Sequence, residues 1–215
     1  MEHTENDLYQ LRSDTYRLLA AAFYPPDRQF FLEENLCSNL ERLFNELCPE
    51  AVHHCQAMAH ALQNSTTEEL QVEHAALFVG PFELLAPPYG SVYLEGKHAI
   101  MGDSTVEIQR LYRQAGLQLK EKEVPDHIAL ELEFASYLAG KVHGQQHDND
   151  RDAMEETRKL YKQFVHDTLI RWIPDFCRRI RSETEHTLYN SLASCLEEFV
   201  IKENQEVISV TGCDV

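Results

Sequence analysis

Three side chains able to carry protons or hold a metal stand within the run Pro125-Asp126-His127-Ile128-Ala129-Leu130-Glu131-Leu132-Glu133-Phe134. On a helix, His127 and Glu131 are four residues apart and share a face. Asp126 falls in the first turn, where the positive end of the helix dipole favours a carboxylate, so a plain acidic helix start remains an alternative reading of it. A stable metal site needs three or four ligands. His53, His54, His60, His74 and His98 stand far off in sequence and lack ligand spacing, so no metal is expected. As an acid–base pair, Asp126 and His127 point about 100° apart around the helix, too far for one to orient the other. Gly90 to His98 fails as a phosphate loop, because five residues separate Gly90 from Gly96 and His98 follows Lys97 where Ser or Thr is needed. The expectation is a protein without catalytic activity or cofactor, with a metal-dependent hydrolase on Asp126, His127 and Glu131 as a distant alternative.

The elements that must hold these residues read as helices. Gly and Pro number only eight each, too few for a turn-rich β fold. Apolar residues recur at helical spacing from Glu5 to Phe23, which Pro25-Pro26 stops. A second helix spans Phe30 to Leu47 and a third Pro49 to Gln63, with proline acceptable in its first turn. Capping boxes at Ser65/Glu68 or Thr66/Glu69, and at Ser104/Glu107, open two more. Pro125 starts the longest apolar helix, expected to reach His143. Gly144 to Asp150 reads as an exposed connection and possible hinge. Further helices are expected at Arg151 to Trp172, Pro174 to Ser182 and Glu185 to Lys202, and residues 203–215 read as a flexible tail. The fold class is therefore all-α, a single-domain bundle of about nine or ten helices over 1–215.

One segment breaks the pattern. Gly80, Pro81, Pro87, Pro88 and Gly90 predict a loop from Gly80 to Gly102, yet it carries Phe82, Leu84, Leu85, Tyr89, Val92, Tyr93 and Leu94. Long apolar loops in compact domains are often functional. The alternative is that its rings merely plug the core.

With 36 Asp plus Glu against 19 Lys plus Arg, the net charge is −17. That excludes nucleic acid as an expected partner, since phosphate binding needs a basic surface. It suits basic peptides, or else simply solubility. The six cysteines form no C-x-x-C pair and fit neither a zinc ribbon nor a secreted disulfide framework. No apolar run reaches membrane-spanning length and the first residues are polar. The expected location is the cytoplasm, without membrane insertion.

Phe78-Val79-Gly80-Pro81, then Pro87-Pro88-Tyr89-Gly90-Ser91-Val92-Tyr93-Leu94, then Val124 to Phe134, taken together, resemble the TorD/DmsD family of redox-enzyme maturation chaperones. Phe164, Trp172, Pro174 and Phe176 resemble its C-terminal helix pattern, although Thr168 stands where many members have histidine. The resemblance spans Leu8 to about Val200. It implies an all-α domain that binds the immature catalytic subunit of a molybdenum or tungsten oxidoreductase, through its twin-arginine signal peptide or an equivalent segment. Such a chaperone protects the precursor until its pterin cofactor is loaded and prevents premature export. The implied partner site comprises Phe82, Pro88, Tyr89, Ser91, Tyr93, Pro125, Asp126, His127 and Glu131. An alternative is a nitrate-reductase-type assembly chaperone for a membrane-anchored reductase, with no export signal read. A monomer and a domain-swapped dimer are both compatible. A twin-arginine peptide is a basic head followed by an apolar stretch. Carboxylates and aromatic rings complement those two parts.

Overall fold

A computed structural model describes residues 4–80, 84–96, 101–120, 122–147 and 150–211. Thr4 opens α1 (Glu5–Ala22): its hydroxyl accepts the Asp7 N–H while the Asp7 carboxylate accepts the Thr4 N–H. Tyr9, Tyr16, Leu19, Ala20 and Phe23 bury one face of α1 at helical spacing. The helix expected from Phe30 to Leu47 is two, α2 (Arg28–Glu33) and α3 (Leu36–Leu47). Asn35 separates them in the left-handed region at φ 52°, which Asn tolerates better than most residues. A 3-10 turn (Pro49–Ala51) leads into α4 (Val52–Asn64). At α5 (Thr67–His74) the Thr66/Glu69 box forms, and a π turn (Ala75–Val79) extends the helix to Gly80.

Among the described residues of the expected loop one short helix forms, α6 (Gly90–Leu94). The cap of α7 (Asp103–Gln114) differs from the expected Ser104/Glu107 pair: Glu95 accepts both the Ser104 N–H, at 2.9 Å, and its hydroxyl, at 2.7 Å. Glu107 is left exposed. The site helix is α8 (Ile128–His147). It begins at Ile128, three residues after Pro125, and runs through Gly144 to His147, so much of the proposed hinge is helix. Asp148 and Asn149 lie outside the described residues.

The breaks expected around Trp172 and Pro174 do not occur. Pro174 sits inside a continuous rod in which α9 (Arg151–Phe164) joins α10 (Ile170–Glu183) through a π turn (Val165–Leu169). Proline removes one hydrogen bond and crowds the carbonyl four residues back, here Ile170, where the wide turn ends. Likewise, α11 (Thr187–Thr211) continues through much of the expected tail. Its added turns bury Glu203 and Val207, a tertiary anchor that local pattern does not reveal. Counting contiguous segments as one, the described residues form ten helical runs, and the class is all-α as expected.

The frame of the site is the packing of α8 on α1. Ser13 and Ser136 each donate a hydroxyl to the other's carbonyl, at 2.9 and 2.8 Å. A Cβ on Gly140 would stand 3.0 Å from the Ser13 hydroxyl. Small residues thus let the two backbones approach, which fixes the start of α8 relative to the core. Phe134 meets Tyr112 and Phe164 edge to face, with ring centres 4.6 and 4.9 Å apart, tying α7 and α9 to the same helix. The five cysteines within the described residues are free and buried, where they pack as small apolar groups.

Candidate functional site

The proline-rich segment and the start of α8 lie side by side. Tyr89 and His127 form an isolated antiparallel bridge. The Gly90 N–H donates to the Asp126 carbonyl and the Ile128 N–H to the Pro88 carbonyl, both at 2.9 Å. Proline at 87, 88 and 125 restricts φ on both flanks of this ladder. From below, the Tyr112 hydroxyl donates to the Pro125 carbonyl at 2.8 Å.

The carboxylates occupy this frame rather than its surface. Asp126 is 1% exposed, and its Oδ2 accepts the Ser91 N–H at 2.8 Å. It therefore caps α6, not α8, and is no free ligand for a guanidinium. Glu131 is 0% exposed, and its Oε2 accepts the Trp172 indole N–H at 2.9 Å. Burial holds the Glu131 carboxyl well above the usual carboxylate range, with Trp172 acting against the shift. A Cβ added to Gly90 would stand 3.2 Å from the Trp172 indole nitrogen and 3.3 Å from Glu131 Oε1. Glycine at 90 is thus what lets α6 sit on this pair. Tyr93 stacks on Trp172 at 5.7 Å and meets Phe176 edge-on at 5.8 Å.

His127 is half-buried. Its Nδ1 accepts the Ala129 N–H at 3.2 Å, which places the ring proton on Nε2. Burial pulls its pKa down to about 4, with neighbouring Asp126 opposing the shift and His74 adding to it. The ring is therefore neutral near pH 7, and the Tyr89 ring meets it edge to face at 5.4 Å. Asp126, His127 and Glu131 turn to three different partners, which gives a hydrolytic reading no shared reacting point. Among the described residues no group of three or more His, Cys, Asp or Glu is arranged to hold a metal.

Of the nine residues expected from the sequence, Pro88, Ser91, Pro125, Asp126 and Glu131 are buried, and Tyr89, Tyr93 and His127 are half-buried. Phe82 lies outside the described residues. Gly90, Tyr112 and Trp172 were not expected at the site. A lone tryptophan 41 residues beyond a buried glutamate was the one signal available for that pair.

The profile of the family described as the nitrate reductase delta subunit matches residues 44–178, more than half of the chain. A Haemophilus influenzae protein described as a Tat proofreading chaperone DmsD is 29% identical over 199 residues, covering 88% of this chain and 87% of its own. A Photobacterium profundum protein described as chaperone protein TorD is 30% identical over 162 residues, 71% of this chain and 73% of its own. A crystal structure described as a redox enzyme maturation protein from Archaeoglobus fulgidus superposes with a TM-score of 0.53 over 94% of this chain and 96% of that one. At 23% identity that likeness is one of fold. Among the described residues no helix is long and apolar enough to cross a membrane.

Proposed function

The chain belongs to the nitrate reductase delta subunit family and is a redox enzyme maturation chaperone of the TorD/DmsD type, and from that premise we propose that it binds the immature catalytic subunit of a molybdenum or tungsten oxidoreductase. Binding engages the precursor's twin-arginine signal peptide or the segment that replaces it, shields the enzyme while the pterin cofactor is inserted, and delays export. The protein acts as one cytoplasmic domain, by binding rather than by catalysis.

The observation that carries this reading is the Tyr89–His127 bridge. Behind it the Gly90 and Ile128 amides are bonded across the bridge, and Asp126 and Glu131 are buried, each accepting one internal bond. The half-buried rings of Tyr89 and His127 sit on this bonded frame, so a peptide docking on their open sides would meet little ordering cost. The site contacts are Tyr89, Tyr93 and His127. Pro88, Ser91, Pro125, Asp126 and Glu131 shape the frame. Guanidinium groups of the peptide fall instead to outward carboxylates such as Glu133, which is exposed on α8 and accepts the Tyr24 hydroxyl at 3.0 Å.

The test is co-purification with the precursor, comparing native signal with one whose twin arginines are replaced by lysine. Loss of the complex with the lysine signal, and with Tyr89→Ala or His127→Ala, supports the reading. A second reading takes up the family's description as a nitrate reductase delta subunit: an assembly chaperone for a membrane-anchored reductase that reads no export signal. Under it the lysine signal leaves binding intact while the two chaperone variants still weaken it. Unchanged binding in both variants discards the site.

A further inference from the structure

A helix as short as α6, five residues long, does not stand alone in water, since its first turn fixes several residues for a single hydrogen bond. Its order is therefore tertiary. One tie comes from α8, where Asp126 accepts the Ser91 N–H. Another comes from α10, through Trp172. The Trp172 indole is 0% exposed and stacks on Tyr93 at 5.7 Å, with 26° between the ring planes. Its nitrogen stands 3.2 Å from the place a Cβ on Gly90 would take. The same nitrogen donates to Glu131 on α8 at 2.9 Å. One side chain thus joins α6, α8 and α10.

Trp172 reaches this place through the rod that carries it. From Leu160, buried positions recur every fourth residue through Phe164, Thr168, Trp172, Phe176 and Ile180. Four residues overshoot one α-helical turn by about 40°. The π turn Val165–Leu169, being wider, absorbs part of that drift. The face that meets Glu131 is set there, outside both the proline-rich segment and the start of α8.

We infer that Trp172 is a positioning residue for the partner face: bonded to Glu131 and stacked on Tyr93, it holds α6 in the arrangement that a precursor segment meets. Partner affinity is thus set in part from α10, a helix that supplies none of the site contacts. This rests on the reading of the Tyr89–His127 face given above. With α6 loosened, a docking segment must order it, and that cost lowers affinity.

The test pairs two measurements on the full chain. Hydrogen exchange without partner should show the amides of residues 90–95 opening about tenfold faster or more in Trp172→Phe, relative to those of α4 in the same protein. Binding of the precursor that co-purifies with the chain should weaken about tenfold in Trp172→Phe and in Glu131→Leu. The double variant should be no weaker than either, because both break one bond. Glu131→Gln keeps an acceptor for the indole and recovers most of the loss. Phe44→Ala opens the α3–α11 core beside Phe199, costs at least as much stability, and should keep affinity within about twofold.

An equal loss of affinity in Phe44→Ala makes the effect one of general stability and overturns the proposal. Unchanged exchange at residues 90–95 overturns it as well. So does full affinity in Trp172→Phe while Tyr89→Ala still loses the precursor, an outcome that leaves the partner face standing. Full affinity in Tyr89→Ala and His127→Ala discards that face, and this role with it. Should Trp172→Phe not fold, Gly90→Ala, which presses a methyl against the same indole, takes its place under the same criteria.

Discussion

The Asp126 carboxylate accepts the backbone N–H of Ser91 at 2.8 Å, so the residue beside the start of α8 caps a different helix, α6. Thirty-five residues of chain separate the two, and this buried bond holds the proline-rich segment against α8. A carboxylate in the first turn of a helix ordinarily stabilises its own N-terminus. Here it crosses to a neighbour and so becomes a tertiary bond. Replacing Asp126 with Ala leaves the Ser91 N–H buried without an acceptor, which costs about 1–3 kcal/mol. For a chain of this size each kcal/mol lowers Tm by roughly 2–4 °C. Asp126→Asn keeps an acceptor oxygen and should lose less. Calorimetry of both variants checks this, and a Tm unchanged in Asp126→Ala would refute the bond's structural role.

The Glu131–Trp172 bond makes a second prediction with a different sign pattern. Burial holds the Glu131 carboxyl well above the usual carboxylate range and so disfavours its charged form; Glu131→Gln, uncharged and of the same shape, should therefore cost under about 1.5 kcal/mol. Trp172→Phe removes the only indole donor and opens space beside a buried carboxyl, and costs about 3 kcal/mol. Gly90→Ala pushes a methyl to 3.2 Å from the indole nitrogen and falls between them. Chemical denaturation ranks the three. Glu131→Gln proving the worst would mean that the carboxyl is charged in the folded state.

Much of this architecture is legible in sequence and some of it is not. Thr66/Glu69, Pro25-Pro26 and the apolar periodicity of α1 and α8 are local signals, and the helices they mark are found. The pairing of Pro88-Tyr89-Gly90 with Asp126-His127-Ile128 was suggested by two unusual motifs rather than by any period. What local pattern misses is tertiary. Pro174 reads as a helix break, and only the adjoining π turn shows how the rod continues through it. Glu203 reads as part of a polar tail, and only its partner across the fold explains why the helix persists. Asp126 and Glu131 read as members of a partner site because sequence spacing shows which face residues share but not what covers that face.

That distant partner is Arg12. Its Nε donates to both oxygens of Glu203 at 2.9 Å, and the Tyr161 hydroxyl and Glu206 complete the cluster. Arg12 and Glu203 are buried. Removing one member strands the other, so Arg12→Ala or Glu203→Ala should cost about 3–5 kcal/mol. Arg12→Met with Glu203→Leu removes both charges and should recover most of the loss. A double-mutant cycle by urea denaturation measures the coupling. Simple additivity of the two single losses would show that the pair does not anchor α11.

His127 sets the last expectation, a stability that depends on pH. Its folded pKa, about 4, lies below the unfolded value of 6.5. Between those values the unfolded chain binds the proton and the folded chain does not, so stability falls as the solution is acidified. The contribution is complete above pH 6.5, is lost progressively below it, and levels off beneath pH 4. The slope approaches ~1.4 kcal/mol per pH unit for one whole proton. His74, lowered by burial, acts in the same direction, and Glu131, raised by burial, acts in the opposite one. Glu203, raised by burial, sides with Glu131, and Glu69, lowered by its bonds to Thr66, sides with the histidines, so the total curve mixes several groups and the informative quantity is the difference between wild type and His127→Gln. That difference should grow steadily as pH rises from 4 to 6.5 and stay flat above. A difference independent of pH across this window would mean that the imidazole titrates as it does in the unfolded chain, and that the ring is far more open to water than its place beside Tyr89 implies.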